Sequence, residues 1–103
     1  MRIITKEEFL KLPDGTVYCK GGRWWWEQIS VKSKSYDNDW RYLQLDQIPA
    51  NDSGEWLSNQ ERMLKTGESM PIQITDVRDG CFDPSDLFLV YEAEDLKLIK
   101  EYI

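Results

Sequence analysis

At 103 residues, with a formal net charge of −6 and a pI near 4.6, the chain is long enough for one cofactor-free core and too acidic to hold nucleic acid chiefly through its phosphates. It contains no histidine and two cysteines, Cys19 and Cys81, which removes Ser-His and Cys-His nucleophile pairs, His-bearing metal centres and a cysteine zinc site. With 41% hydrophobic and 13% aromatic residues, a single folded domain over 1–103 is expected, and no apolar run approaches the ~20 residues that cross a bilayer.

The first element is a capped helix. Thr5 and Glu8 form a capping box, and Ile4 and Phe9 sit where a hydrophobic staple places them. The helix begins at about residue 6 and stops by Leu12, because Pro13 disfavours helical geometry in the residue before it and Asp14-Gly15 supplies a turn. Residues 16–20 read as a strand, which Gly21-Gly22 joins in hairpin fashion to a second strand over about 23–32.

That second strand opens with Trp24, Trp25 and Trp26. Strand alternation cannot place all three on one side. Trp25 shares parity with Ile29 and Val31, a row fit for a core. Trp24 and Trp26 fall with Gln28, Ser30 and Lys32. A third strand at about 40–46 repeats the division, with Leu43 and Leu45 on one face and Trp40, Tyr42 and Gln44 on the other. Two strands therefore share an aromatic-polar face. It reads either as a second core beneath a helix or as an open surface of the kind where Trp, Tyr and Arg concentrate binding energy. Arg23 and Arg41 flank it, which adds the option of stacking plus cation contacts with a nucleotide.

Asp52 and Ser53 cap a second helix that ends at Gly67, with Trp56, Leu57, Met63 and Leu64 on its apolar side. Ile72 and Ile74 alternate in a fourth strand, and the continuous apolar run 87–91 reads as a central strand buried on both faces. A last helix starts near Ala93 with Leu96, Ile99 and Ile103 as its inward stripe. The expected fold class is α+β in one domain: a helix, a three-stranded antiparallel meander, a helix, two further strands and a C-terminal helix.

No Walker-type or dinucleotide glycine pattern occurs. Asp76, Asp79, Asp83 and Asp86 gather around the 79–84 turn, but their intervals do not follow the calcium-loop template. The expectation is therefore a chain with no catalytic residues, no bound metal and no cofactor. Charge is unevenly placed: residues 1–45 carry net +2 and residues 46–103 net −8. The four aspartates are either a solvated turn or an acidic patch for a basic partner.

The stretch Ile3–Tyr18, together with Asp86–Leu96, resembles small acidic proteins of phages and prophages. That resemblance implies an accessory protein of the class that includes anti-CRISPRs and other anti-defence inhibitors, which act by stoichiometric binding in the host cytoplasm. A host defence protein with a basic surface is the implied partner, without direct nucleic-acid or membrane binding by the chain itself. A sponge for a signalling nucleotide, and a structural or accessory phage subunit, are the competing expectations.

Overall fold

The computed structural model describes residues 1–103 except for the side chain of Asp46. Nine elements follow in order: β1 (Arg2–Thr5), α1 (Lys6–Leu10), β2 (Val17–Gly22), β3 (Trp25–Ser35), β4 (Trp40–Gln47), α2 (Ser53–Thr66), β5 (Gln73–Asp79), β6 (Leu87–Val90) and α3 (Ala93–Glu101). The strands make one six-stranded antiparallel sheet in the order β1-β6-β2-β3-β4-β5. The α+β class holds, but the arrangement differs from the expected one because a strand precedes the first helix. Arg2 to Thr5 is too short to display an alternation, and it becomes a strand by pairing with β6, Ile3 opposite Leu89 and Ile4 opposite Phe88. The apolar run at β6 is interior to the sheet, between β1 and β2, but it is not buried on both faces as expected. Phe88 and Val90 are buried, whereas Leu87 and Leu89 on the other face are only half-buried, because α1 covers the sheet on the Phe88 side.

Local signals set the helix ends. The Glu8 amide donates to Thr5 Oγ1 at 3.3 Å, and the Thr5 hydroxyl lies 3.1 Å from Glu8 Oε1. At α2 the Glu55 amide donates to Asp52 Oδ1 at 2.8 Å, and Gly67 closes the helix at φ +71°, a left-handed conformation that an L side chain resists. The chain groups into two compact units, one of Met1–Leu43 with Asp76–Ile103 and one of Gln44–Thr75. Within the second, the Ala50 amide donates to Gln73 Oε1 at 2.6 Å and Asn59 Nδ2 donates to the Pro49 carbonyl at 2.5 Å, fixing the approach to α2. Trp56 and Met63 are half-buried there, while Leu57 and Leu64 of the expected apolar side are exposed.

The first unit carries a small aromatic core. A five-residue helix cannot sustain itself in water. What holds α1 is Phe9, fully buried, stacked on Phe88 with ring centroids 4.0 Å apart, tilted against Tyr18 at 4.6 Å and edge-on to Trp40 at 5.4 Å. Ile4 and Val90 complete the cluster. The indole N–H of Trp40 donates to the Tyr18 hydroxyl at 2.7 Å, so the largest core residue has its one polar group satisfied.

This core lies on the face that carries Trp40 and Tyr42, and the row expected to form a core is the open one. Ile29 is 48% exposed, and Val31 is only half-buried. The reason is topological: β1 passes straight into α1 at Thr5, which seats Phe9 on the aromatic side. The stripe expected to face inward on α3 does not, since that helix buries no residue and Leu96 and Ile99 are exposed, as is Ile103 beyond it. Among the described residues no helix is long and apolar enough to cross a membrane.

Candidate binding surface

The β2–β3 hairpin turns at Arg23 and Trp24, not at the two glycines. Gly21 and Gly22 are strand residues pairing with Trp26 and Trp25. They are needed for close approach: a Cβ on Gly21 would stand 2.5 Å from the Trp26 ring and run into the Trp25 carbonyl oxygen, and one on Gly22 would stand 2.8 Å from the Trp25 indole nitrogen. Two indoles thus lie close against glycine backbone at the end of the hairpin.

The register of this hairpin shifts. Cys19 faces Ile29, but Gly21 faces Trp26, so Glu27 and Gln28 together oppose Lys20 in a β-bulge. The extra residue reverses the parity of everything before it. Directly paired residues project to the same side of a sheet, so Trp26, with Gly21 and Leu87, lies on the side of Cys19, Ile29 and Leu89. Trp25 takes the other side. Simple alternation had placed them the opposite way round.

Around the hairpin lies an uncovered apolar surface. Trp24 is 82% exposed, with the Arg23 guanidinium 4.9 Å from its ring centroid, and Trp25 is 49% exposed. Trp26 continues into the open face of the sheet, where Ile3 and Ile29 are exposed and Val17, Val31, Leu43 and Leu89 are half-buried. Large apolar side chains grouped with an arginine are the composition of an interaction hot spot, whereas scattered exposed leucines are ordinary.

The six residues of the expected aromatic face are not assembled into one surface. Trp40 is fully buried and Tyr42 packs half-buried against the core, while Arg23 and Trp24 stand at the hairpin tip. Arg41 is one residue from Trp40 and therefore on the opposite face of β4. Its guanidinium donates to Asp76 Oδ1 at 3.1 Å and to the Asp76 carbonyl at 3.0 Å.

The four aspartates of the expected acidic patch each have a partner within the chain. Asp76 binds Arg41 and accepts from the Ser33 hydroxyl. Asp79 lies 3.5 Å from Lys20 Nζ and accepts the Cys81 amide at 2.9 Å. Asp83 accepts the amide and hydroxyl of Ser85, bonds that hold its carboxyl below the usual range. Asp86 is buried and accepts from the Cys81 thiol at 2.8 Å; burial first, and this bond second, push that thiol up. Among the described residues no three Cys, Asp or Glu side chains converge as a metal site.

Sequence reasoning missed an ion pair and two lysines. Asp39, 1% exposed, accepts two bonds from Arg78, at 2.5 and 3.1 Å, and that guanidinium lies 4.2 Å from the Tyr36 ring centroid. Lys6 and Lys32 are buried against the core, donating to the carbonyls of Cys81 and Ser33, 5.7 Å from the Trp40 ring and 5.9 Å from the Phe9 ring. Asp39 closes a loop that reads only as polar, and the alternation that sets Lys32 beside Trp40 and Tyr42 was the available signal for the buried lysine. No family model matches this chain, and neither a curated protein nor a solved structure does.

Proposed function

We propose that the chain is a small phage-encoded protein that inhibits a component of host antiviral defence by stoichiometric contact, without turnover of its own, and that the contact is made by the β2–β3 hairpin and the apolar sheet face behind Trp26. One observation carries the binding reading: three consecutive tryptophans stay exposed at the end of a hairpin while Trp40, in the same sheet, is wholly buried. Leaving such surface in water is unfavourable by about 25 cal/mol for each Å2 of apolar area, a cost that a partner recovers. The phage and anti-defence part of the reading is supported by the resemblance in Ile3–Tyr18 and Asp86–Leu96.

The internal pairing of Asp76, Asp79, Asp83 and Asp86 favours the hairpin over the acidic turn as the contact. The net −8 of residues 46–103 then acts at longer range, raising the rate of encounter with a basic partner rather than forming the interface. The test is capture from a lysate of a defence-positive host by the tagged parent and by a Trp24→Ser/Trp26→Ser variant. The parent retains one defence component at about equimolar amount and the variant releases it. Equal retention by both overturns the assignment of the hairpin. Progressive inactivation of a large excess of that component by a small amount of chain overturns the stoichiometric mechanism.

A further inference from the structure

On the core side of the sheet, α1 covers Phe88 and Trp40 but leaves the β2–β3–β4 stretch beyond them open. There the strands form a cleft of about 310 Å3, lined by Tyr18, Lys20, Glu27, Gln28, Tyr42 and Asp79 together with Ser30. The bulge creates its acidic wall. Because two β3 residues oppose Lys20, Glu27 is brought into the cleft beside Gln28 instead of alternating to the far face.

The floor of the cleft has donors to spare. Tyr18 is 2% exposed, and its oxygen accepts the Trp40 indole N–H. An indole N–H can only donate, so the phenol's own hydrogen needs an acceptor, and none of the described residues supplies one. Burial, the leading cause, holds the Tyr18 pKa far above the ordinary phenol value, so this hydrogen stays in place at any working pH. Beside it, Lys20 Nζ has one carboxylate at 3.5 Å and lies 5.8 Å from the Trp40 ring. The phenol hydrogen and the remaining ammonium hydrogens are therefore donors turned toward whatever enters the cleft.

The charges of the walls decide what fits. An anion would face two carboxylates, Glu27 and Asp79, against the single ammonium of Lys20. A cation would leave the Tyr18 hydroxyl and the spare Lys20 hydrogens without acceptors. A neutral planar group with a carbonyl oxygen next to N–H donors satisfies both sides. We propose that this cleft is a binding site for such a cyclic amide edge, and that among nucleobases guanine matches it. The guanine carbonyl oxygen would accept from Tyr18 and Lys20, and its ring N–H and exocyclic amine would donate together to the Glu27 carboxylate. The site is separate from the exposed tryptophans and stands whether or not the hairpin binds a partner.

The experiment is isothermal titration of the intact chain with guanosine, inosine and adenosine. Adenosine has nearly the same size but an amine where guanine has its carbonyl, and inosine keeps the carbonyl and lacks the exocyclic amine. Guanosine is expected to saturate the protein at one site, inosine to bind more weakly, and adenosine to bind about tenfold or more weakly still, as for loss of a charge-assisted hydrogen bond. Glu27→Gln, at an exposed position, is expected to weaken guanosine about tenfold or more while leaving the circular dichroism spectrum unchanged. Failure of guanosine to saturate at millimolar concentration, equal binding of adenosine, or indifference to Glu27→Gln would overturn the proposal. Should that variant lose its fold, the ordering of the three nucleosides on the parent protein decides alone.

Discussion

Phe9→Ala is the substitution that most directly tests how this fold is held. Phe9 is the one fully buried side chain contributed by α1, and it touches all three other rings of the core, with centroids at 4.0 Å to Phe88, 4.6 Å to Tyr18 and 5.4 Å to Trp40. Removing a buried phenyl ring costs about 3–5 kcal/mol, combining lost transfer energy with the cavity left behind. A 103-residue domain at roughly 0.05–0.15 kcal/mol per residue has about 5–15 kcal/mol in total, so the loss is a large fraction of it. In urea, with a slope of about 1–3 kcal/mol per molar, the midpoint is expected to fall by about 2 M, read by tryptophan fluorescence and by far-ultraviolet circular dichroism. Phe9→Leu keeps most of the apolar volume and is expected to lose less than half as much. A Phe9→Ala midpoint within about 0.3 M of the parent, at unchanged slope, would refute the reading of α1 as a helix pinned by one ring.

Three further outcomes are expected. Arg78 holds the Asp39 carboxyl below the usual carboxylate range through its hydrogen bonds, so this pair stabilises the fold above the unfolded value near 3.9 and the contribution disappears as pH falls through the folded value. Asp39→Asn is therefore less stable than the parent at pH 7, with a flatter decline between pH 5 and pH 2; parallel melting-temperature profiles would contradict this. At the alkaline end, burial raises the Tyr18 pKa, so above pH ~10 the unfolded state releases a proton that the folded state keeps, and stability drops by up to ~1.4 kcal/mol per pH unit. Tyr18→Phe should make that alkaline slope shallower, and an identical slope would count against a buried, protonated phenol. Gly21→Ala puts a Cβ into the Trp25 carbonyl and 2.5 Å from the Trp26 ring, and such overpacking costs about 1–3 kcal/mol; a urea midpoint equal to that of the parent would show that the hairpin is not packed as described.

Features written in a few neighbouring residues were legible in the sequence. The Thr5–Glu8 cap, the Asp52 cap and the Gly67 stop are each determined within one or two turns of chain, and all three stand as expected. The apolar run at β6 marked an interior strand, but not that only its Phe88 and Val90 face would be buried. Which face of the sheet is buried was not legible. It depends on where α1 lands and on a bulge at Glu27 and Gln28, and neither leaves a periodic trace. The same bulge moves Trp26 to the side of Ile29 and Trp25 to the other, and Trp24 stands in the turn rather than in the strand, so the grouping read from simple alternation does not hold. The acidic cluster was visible as composition, but its partners Arg41 and Lys20 lie 35 and 59 positions away from Asp76 and Asp79, a separation that no local pattern reveals.

The central claim, that exposed hairpin tryptophans inhibit a defence component, is tested most directly by phage plating on a defence-positive host expressing the chain. Three forms are compared at equal measured protein level: the parent, Trp24→Ser/Trp26→Ser, and a control, Leu64→Ser, that alters an equally exposed apolar residue on α2. An interface tryptophan of hot-spot type contributes about 2 kcal/mol or more, so the double variant should bind at least thirtyfold more weakly. The account predicts that the parent and the control restore plating to the level seen on a defence-negative host, and that the double variant does not. Full restoration by the double variant, or none by the parent against every defence system present, would contradict it.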